Sequence, residues 1–157
     1  MITDNFLRLS GSLTAGSTTG QNLAQVAGTY NSDNIVDLSQ ARDIGEGEKL
    51  FVVFTVGTAF TSGGAATLSF NVVTSAAAAL TTPTTLGSTN LIALGSLTAG
   101  AQFAIAINPK VASLGLRYLG VIYTIGTATT TAGTMTADIV TDIQDGKKFY
   151  ASGFTVV

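Results

Sequence analysis

Apolar positions in this chain recur mainly at every second residue, the spacing of strands that turn one face to a core. In KLFVVFTV, residues Lys49 to Val56, the side chains of Leu50, Val52, Phe54 and Val56 share a face; in TLSFNVVT, Thr67 to Thr74, Leu68, Phe70 and Val72 oppose Ser69 and Asn71. QFAIAIN aligns Phe103, Ile105 and Ile107, and TMTADIVTD aligns Met135, Ala137 and Ile139 opposite Thr136, Asp138 and Asp142. LRYLGVIYTI, Leu116 to Ile125, behaves differently. Leu116, Tyr118 and Ile122 point one way and Leu119, Val121, Tyr123 and Ile125 the other, so both faces are largely apolar and each needs a cover. One face is expected to meet an opposing sheet, the other a loop or another polypeptide.

Weaker strand patterns lie in Asn34 to Ser39, Asn90 to Leu97, the C-terminal KFYASGFTVV and NLAQVAG around Leu23, bringing the total to eight or nine. Between them, TSGG at Thr61 to Gly64, TTPTTLGST at Thr81 to Thr89 and TATTTAG at Thr127 to Gly133 read as turns. SAAAAL, Ser75 to Leu80, has helix propensity but is too short for an isolated helix, so it is expected to be a loop or a single helical turn. GSLTAG occurs at Gly11 and again at Gly95 without matching flanks, which suggests shared turn chemistry rather than duplication. The expected fold is all-β: an antiparallel β-sandwich of about eight strands forming one domain over residues 1–157, with residues 1–12 as an extended N-terminal arm.

Composition sharpens this picture. A chain of 157 residues can bury roughly 70% of its unfolded surface and needs no staples. It has no Cys, which removes disulfides and thiolate metal sites, and no His. Charged residues make up 10% of the chain, well below the usual value of about 25%. None occurs from Leu50 to Pro109 or from Leu9 to Ser32; most cluster between Asp33 and Lys49 and between Asp138 and Lys148. A net charge of -2 with scattered Lys and Arg offers no basic patch, so no nucleic-acid partner is expected. Gly, Ser and Thr interrupt every apolar run before 18 residues, so no membrane-spanning helix is expected either. The start MITDNFLRLS carries an early acid and lacks the apolar core of a signal peptide, so no secretion signal is expected.

Candidate chemistry is thin. Without His, imidazole acid–base and triad mechanisms are ruled out, leaving Ser–Lys or carboxylate chemistry. Asp138 and Asp142 share a strand face, but four residues separate their backbones by about 13 Å, against roughly 5.5 to 9.5 Å for glycosidase pairs. NSDNIVD, Asn31 to Asp37, offers oxygens but lacks the turn Gly and terminal Glu of a calcium loop, so it reads as a turn before a strand. GEG at Gly45 to Gly47 lies among acids and leads into a strand, which does not suit a phosphate loop. Arg117 is expected to pair with an acid at a sheet end, while Tyr118 and Tyr123 bury their rings. No catalytic residue, cofactor or metal is expected, and the chain reads as a non-enzyme.

Three stretches carry a family resemblance: MITDNFLRLS, VDLSQARDIGEGEKLFVVFTV from Val36 to Val56, and LGLRYLGVIYTIGTATTTAGTMTADIVTDIQ from Leu114 to Gln144. Together they make the chain similar to the jelly-roll capsid cement proteins of tailed bacteriophages, the head-stabilising or decoration proteins of the Bordetella-phage type. The resemblance implies a jelly-roll sandwich made in the host cytoplasm and carried in the virion on the outer face of the expanded head. There it would bind across neighbouring major capsid proteins as a small homo-oligomer, dimer or trimer. It carries over no list of functional residues.

Contacts with the shell or a sister subunit are expected in the arm, around Asp4, Phe6 and Arg8, and in the charged segment, around Arg42, Asp43 and Glu46. The reason is that charge, rare elsewhere, gathers in the segment, while the arm joins an aromatic to flanking charges outside any clear strand. The alternative is a β-sandwich adhesin or carbohydrate-binding module whose platform is Tyr118, Tyr123 and Tyr150. A membrane β-barrel lacks the required polar lumen-facing alternation.

Overall fold

The alternating segments pair into two antiparallel sheets that face each other across a single apolar core. The computed structural model describes residues 5–14, 16–40, 49–107 and 116–141. After a 3-10 turn at Asn5–Leu7, the strands follow in order: β1 (Arg8–Ser10), β2 (Ser12–Thr14), β3 (Ser17–Thr19), β4 (Gln21–Asn22), β5 (Gly28–Asn31), β6 (Val36–Asp37) and β7 (Phe51–Ser62). Next come β8 (Thr67–Ser75), β9 (Thr84–Ser88), β10 (Ile92–Ala93), β11 (Gln102–Ala106), β12 (Tyr118–Gly126) and β13 (Thr130–Val140). One sheet runs β1-β13-β7-β11, with β4 also on β13; the other runs β10-β8-β12-β5, with β9 on β8 and β6 on β12. β2 and β3 form a separate hairpin.

Register follows from the inward side chains. Val52 lies opposite Ile139, Phe54 opposite Ala137 and Val56 opposite Met135, while Phe70 meets Tyr123 and Val72 meets Val121 in the other sheet. A slip of one residue would turn each of these sets to the outside. Adjacent strands therefore present aromatic pairs to the core, Phe54 beside Phe103 and Phe70 beside Tyr123. Across the sandwich the Phe54 and Phe70 rings stack with centroids 4.9 Å apart, and Tyr123 meets Phe70 edge-on at 5.7 Å. Burial of each such ring contributes about 1.5 to 3 kcal/mol.

The inner face of β12 is buried and the outer face, where Leu116, Tyr118 and Ile122 are half-buried, is partly covered within the chain. Leu119, Val121, Tyr123 and Ile125 are buried against the opposing sheet. On the other face, the turn after β8 lies across the strand, held by Ser75 Oγ donating to the Thr81 carbonyl at 2.8 Å and Asn31 Nδ2 donating to the Ala79 carbonyl at 3.1 Å. It seats Leu80 on Gly120, where an added Cβ would lie 2.7 Å from Leu80 Cδ1 and 3.2 Å from Ile35 Cγ2. Glycine allows this close approach. The Ala-rich SAAAAL segment is thus a loop, and it supplies part of the second cover.

Several strands differ from the expected pattern. β13 begins at Thr130, so part of the expected turn at Thr127 to Gly133 is strand; β-branched Thr suits a pleated surface. Gly133 breaks the regular ladder there with φ 143°, and the Phe60 ring occupies the space a Cβ would need. β9 likewise forms inside the expected turn at Thr81 to Thr89. Around Leu23 only Gln21–Asn22 is strand, and Asn90 to Leu97 reduces to β10 and a 3-10 turn at Leu94–Ser96. The expected arm contains a strand: β1 pairs with β13, and Leu9 enters the core. The C-terminal KFYASGFTVV lies outside the described residues.

Candidate interaction surface

The N-terminal segment is fastened to the sandwich by two buried polar contacts. β1 puts Arg8 directly opposite Asp138, where Nε donates to Oδ1 at 2.8 Å and Nη2 to Oδ2 at 3.4 Å, with side-chain exposures of 5% and 6%. A register irregularity between Arg8 and Ser10 then brings the Ser10 hydroxyl within 2.6 Å of the Tyr123 hydroxyl. Burial pushes the Tyr123 hydroxyl above its usual phenolic range, an effect only partly offset by the Ser10 hydrogen bond. Asp138 satisfies two of the three Arg8 nitrogens; Nη1 is buried without a hydrogen-bond partner.

The segment that joins β5 to β6, which pair one after the other along β12, runs beside β1. Asn34 donates its backbone N–H to the Leu9 carbonyl at 2.9 Å and its side-chain amide to the Gly11 carbonyl at 3.0 Å. Ser32 Oγ donates to the Asn34 carbonyl at 2.8 Å and accepts the Val121 N–H at 3.0 Å, tying this segment to β12. Between these elements lies a cleft of about 270 Å3 lined by Phe6, Arg8, Gly11, Ser12, Asn34 and Ile35. Phe6 is 88% exposed. The β2–β3 hairpin leaves from the same cleft, with all six of its strand residues exposed.

Of the expected contact residues, the cleft brings together Phe6 and Arg8 but changes the role of the second. Arg8 is not a surface charge on a free arm; it is the buried partner of Asp138. Asp4, Arg42, Asp43 and Glu46 lie outside the described residues. Sequence reasoning missed Ser12, Asn34 and Ile35 as neighbours of Arg8. NSDNIVD was visible as a turn, but only pairing of β1 with β13 shows what that turn packs against.

The other expectations divide clearly. NSDNIVD closes on itself through the Ser32 hydroxyl, which donates to the Asn34 carbonyl, and Asp37 is held by Arg117 with both carboxylate contacts at 2.7 Å. The Arg117 guanidinium lowers the Asp37 pKa to about 2 and lies 5.1 Å from the Tyr118 ring centroid. A sugar platform built on Tyr118 and Tyr123 is overturned: the two residues alternate to opposite faces of β12, and Tyr123 is completely buried. Tyr150 lies outside the described residues, as does Asp142. Among the described residues no group of three or more Asp or Glu side chains could hold a metal ion, and no helix is long and apolar enough to cross a membrane.

No curated protein matches the chain. The model of the Bbp16 family, a Bordetella phage protein family, matches residues 18–139. The matched stretch runs from within β3 to within β13, taking in most of both sheets and the segment between β5 and β6 beside the cleft. By this match over most of its length, the chain belongs to the phage-associated Bbp16 family.

Proposed function

We propose that the protein is a structural virion component that binds the outer surface of the expanded phage head and cements neighbouring major capsid subunits. The observation that carries this reading is the phage-family match over a sandwich whose exterior is unusually poor in charge. That exterior exposes Phe6, Leu7, Leu13, Val26 and Leu91, three of them near the N-terminal cleft and hairpin. Apolar groups of this kind suit burial against partners. In this reading the protein acts through surfaces rather than catalysis, as a dimer or trimer. Bridging several shell subunits would multiply modest contacts by roughly 10² to 10⁴ through effective concentration.

Light scattering of the purified chain, followed by co-sedimentation with expanded and unexpanded heads of its phage, tests the proposal. The expected result is an oligomer that binds only expanded heads and raises their thermal tolerance. A monomer that leaves both kinds of head undecorated would overturn it.

A further inference from the structure

The edge of a sheet carries a row of unpaired N–H and C=O groups, and natural proteins blunt it with charge, Pro, bulges or a covering segment. The edges of these two sheets are treated unequally. β1 is broken by a register irregularity and carries Arg8, and β9 is likewise irregular opposite Val72 and Val73. At β5, Gln21 answers the backbone from within the chain: its amide donates to the Asn31 carbonyl at 2.8 Å and accepts the Asp33 N–H at 3.1 Å. β11 has none of this. Its residues pair with β7 in unbroken register, include no charge and no Pro, and lie in the charge-free run from Leu50 to Pro109.

Hydrogen bonding identifies the open groups. Ile107 donates its N–H to the Leu50 carbonyl and the Ala101 carbonyl accepts from Val56, both at 2.9 Å, so the odd-numbered residues of β11 turn their backbone toward β7. The N–H and C=O groups of Gln102 and Ala104 therefore point the other way, where no strand among the described residues pairs with them. Both residues are exposed. The Ala106 end is closed instead: a Cβ at Gly87 would lie 2.8 Å from the Ala106 carbonyl oxygen, so β9 presses on the edge there. What stays open is a short, flat, neutral edge between Gln102 and Ala104.

Charge and register select the occupant. A two-fold axis brings identical side chains together, so a charged edge repels its own copy, whereas this edge has nothing to repel. An axis through Phe103 sets Gln102 of one copy opposite Ala104 of the other on both sides, and each such pair exchanges two N–H···O bonds, which uses every open group. The half-buried Phe103 then meets its own counterpart in the closer kind of antiparallel pair, with Cα atoms about 4.5 Å apart, where aromatic neighbours attract. We propose that β11 pairs antiparallel with β11 of a second copy about this axis, joining two sandwiches through one continuous sheet. The inference rests on the oligomer of the reading above and gives it an interface.

Sedimentation velocity of the full chain over a concentration series tests the pairing. A dimer is expected. Ala104→Pro deletes an open N–H without touching a β7 hydrogen bond, and should raise the dimer dissociation constant about tenfold or more while the circular dichroism spectrum stays that of a β protein. Ala104→Lys sets two like charges beside the axis and should act in the same direction, so the test stands even if the Pro variant does not fold. Cross-linking reads the register, because the wild-type chain has no Cys: Gln102→Cys mixed with Ala104→Cys should give a disulfide-linked dimer faster under mild oxidation than either variant alone. A wild type that stays monomeric throughout the series, a trimer, or a dimer unmoved by both Ala104 variants would overturn the pairing. Phage heads separate this from the reading it rests on. A monomer that still decorates expanded heads sinks the β11 pairing alone, whereas a dimer that decorates none removes the head-binding reading and leaves the pairing in place.

Discussion

Removing the Asp138 carboxylate should destabilise the fold far more than removing the whole ion pair. Arg8 and Asp138 are exposed by only 5% and 6% at their side chains, and Arg8 Nη1 is already without a partner. Asp138→Ala therefore leaves a buried guanidinium with no counter-charge, at a cost of about 3 to 5 kcal/mol. That is a large share of the roughly 5 to 15 kcal/mol that stabilises an ordinary domain. Arg8→Met with Asp138→Leu removes both charges and keeps the volume, and should fall within about 1 kcal/mol of the wild type. Urea unfolding at fixed protein concentration measures both. With a slope near 2 kcal/mol per molar, Asp138→Ala should lower the midpoint by about 1.5 to 2.5 M. A drop under about 0.5 M, or a double variant as unstable as the single one, would refute the claim that the pair is desolvated and coupled.

Three further outcomes follow from the geometry. Gly133→Ala forces a Cβ into the Phe60 ring at φ 143° and should cost roughly 1 to 3 kcal/mol by thermal unfolding, with partial recovery when Phe60 is also shortened to Leu. Because burial raises the Tyr123 pKa above the usual phenolic value of about 10, the unfolded chain loses this proton first; stability is full below about pH 10 and falls as pH rises further. Ultraviolet titration should show one tyrosine that ionises only on alkaline unfolding, and Tyr123→Phe should abolish that late step. Arg117→Met should return the Asp37 pKa from about 2 toward 3.8, read by carboxyl NMR, with little change in stability because the pair is solvent-exposed.

The central strands were legible because their inward residues alternate cleanly. Val52, Phe54 and Val56 in β7, and Leu68, Phe70 and Val72 in β8, identify their buried face without reference to partners. The hairpin of β2 and β3 was invisible because Ser, Thr and Gly give no apolar alternation, and its six strand residues are all exposed. β9 was masked by turn-forming neighbours. For LRYLGVIYTI the sequence showed that two covers were needed, but not that Leu80 would supply part of one through the fit of its side chain on Gly120. The cleft was half-visible. Phe6 and Arg8 stood out, yet burial of Arg8 depends on Asp138, which lies 130 residues away. No local pattern encodes a contact over that distance.

That separation also sets an order in time. At roughly 5 to 20 residues per second, a ribosome needs about 10 to 30 s to make a chain of this size, and Asp138 is among the later residues to emerge. Until then Arg8 has no counter-ion and Leu9 has no core to enter. β1 must wait for the last described strand, so closure of this edge belongs after synthesis of most of the chain rather than during it. Nascent chains stopped before β13 should leave their N-terminal residues open to protease, and completed ones should protect them.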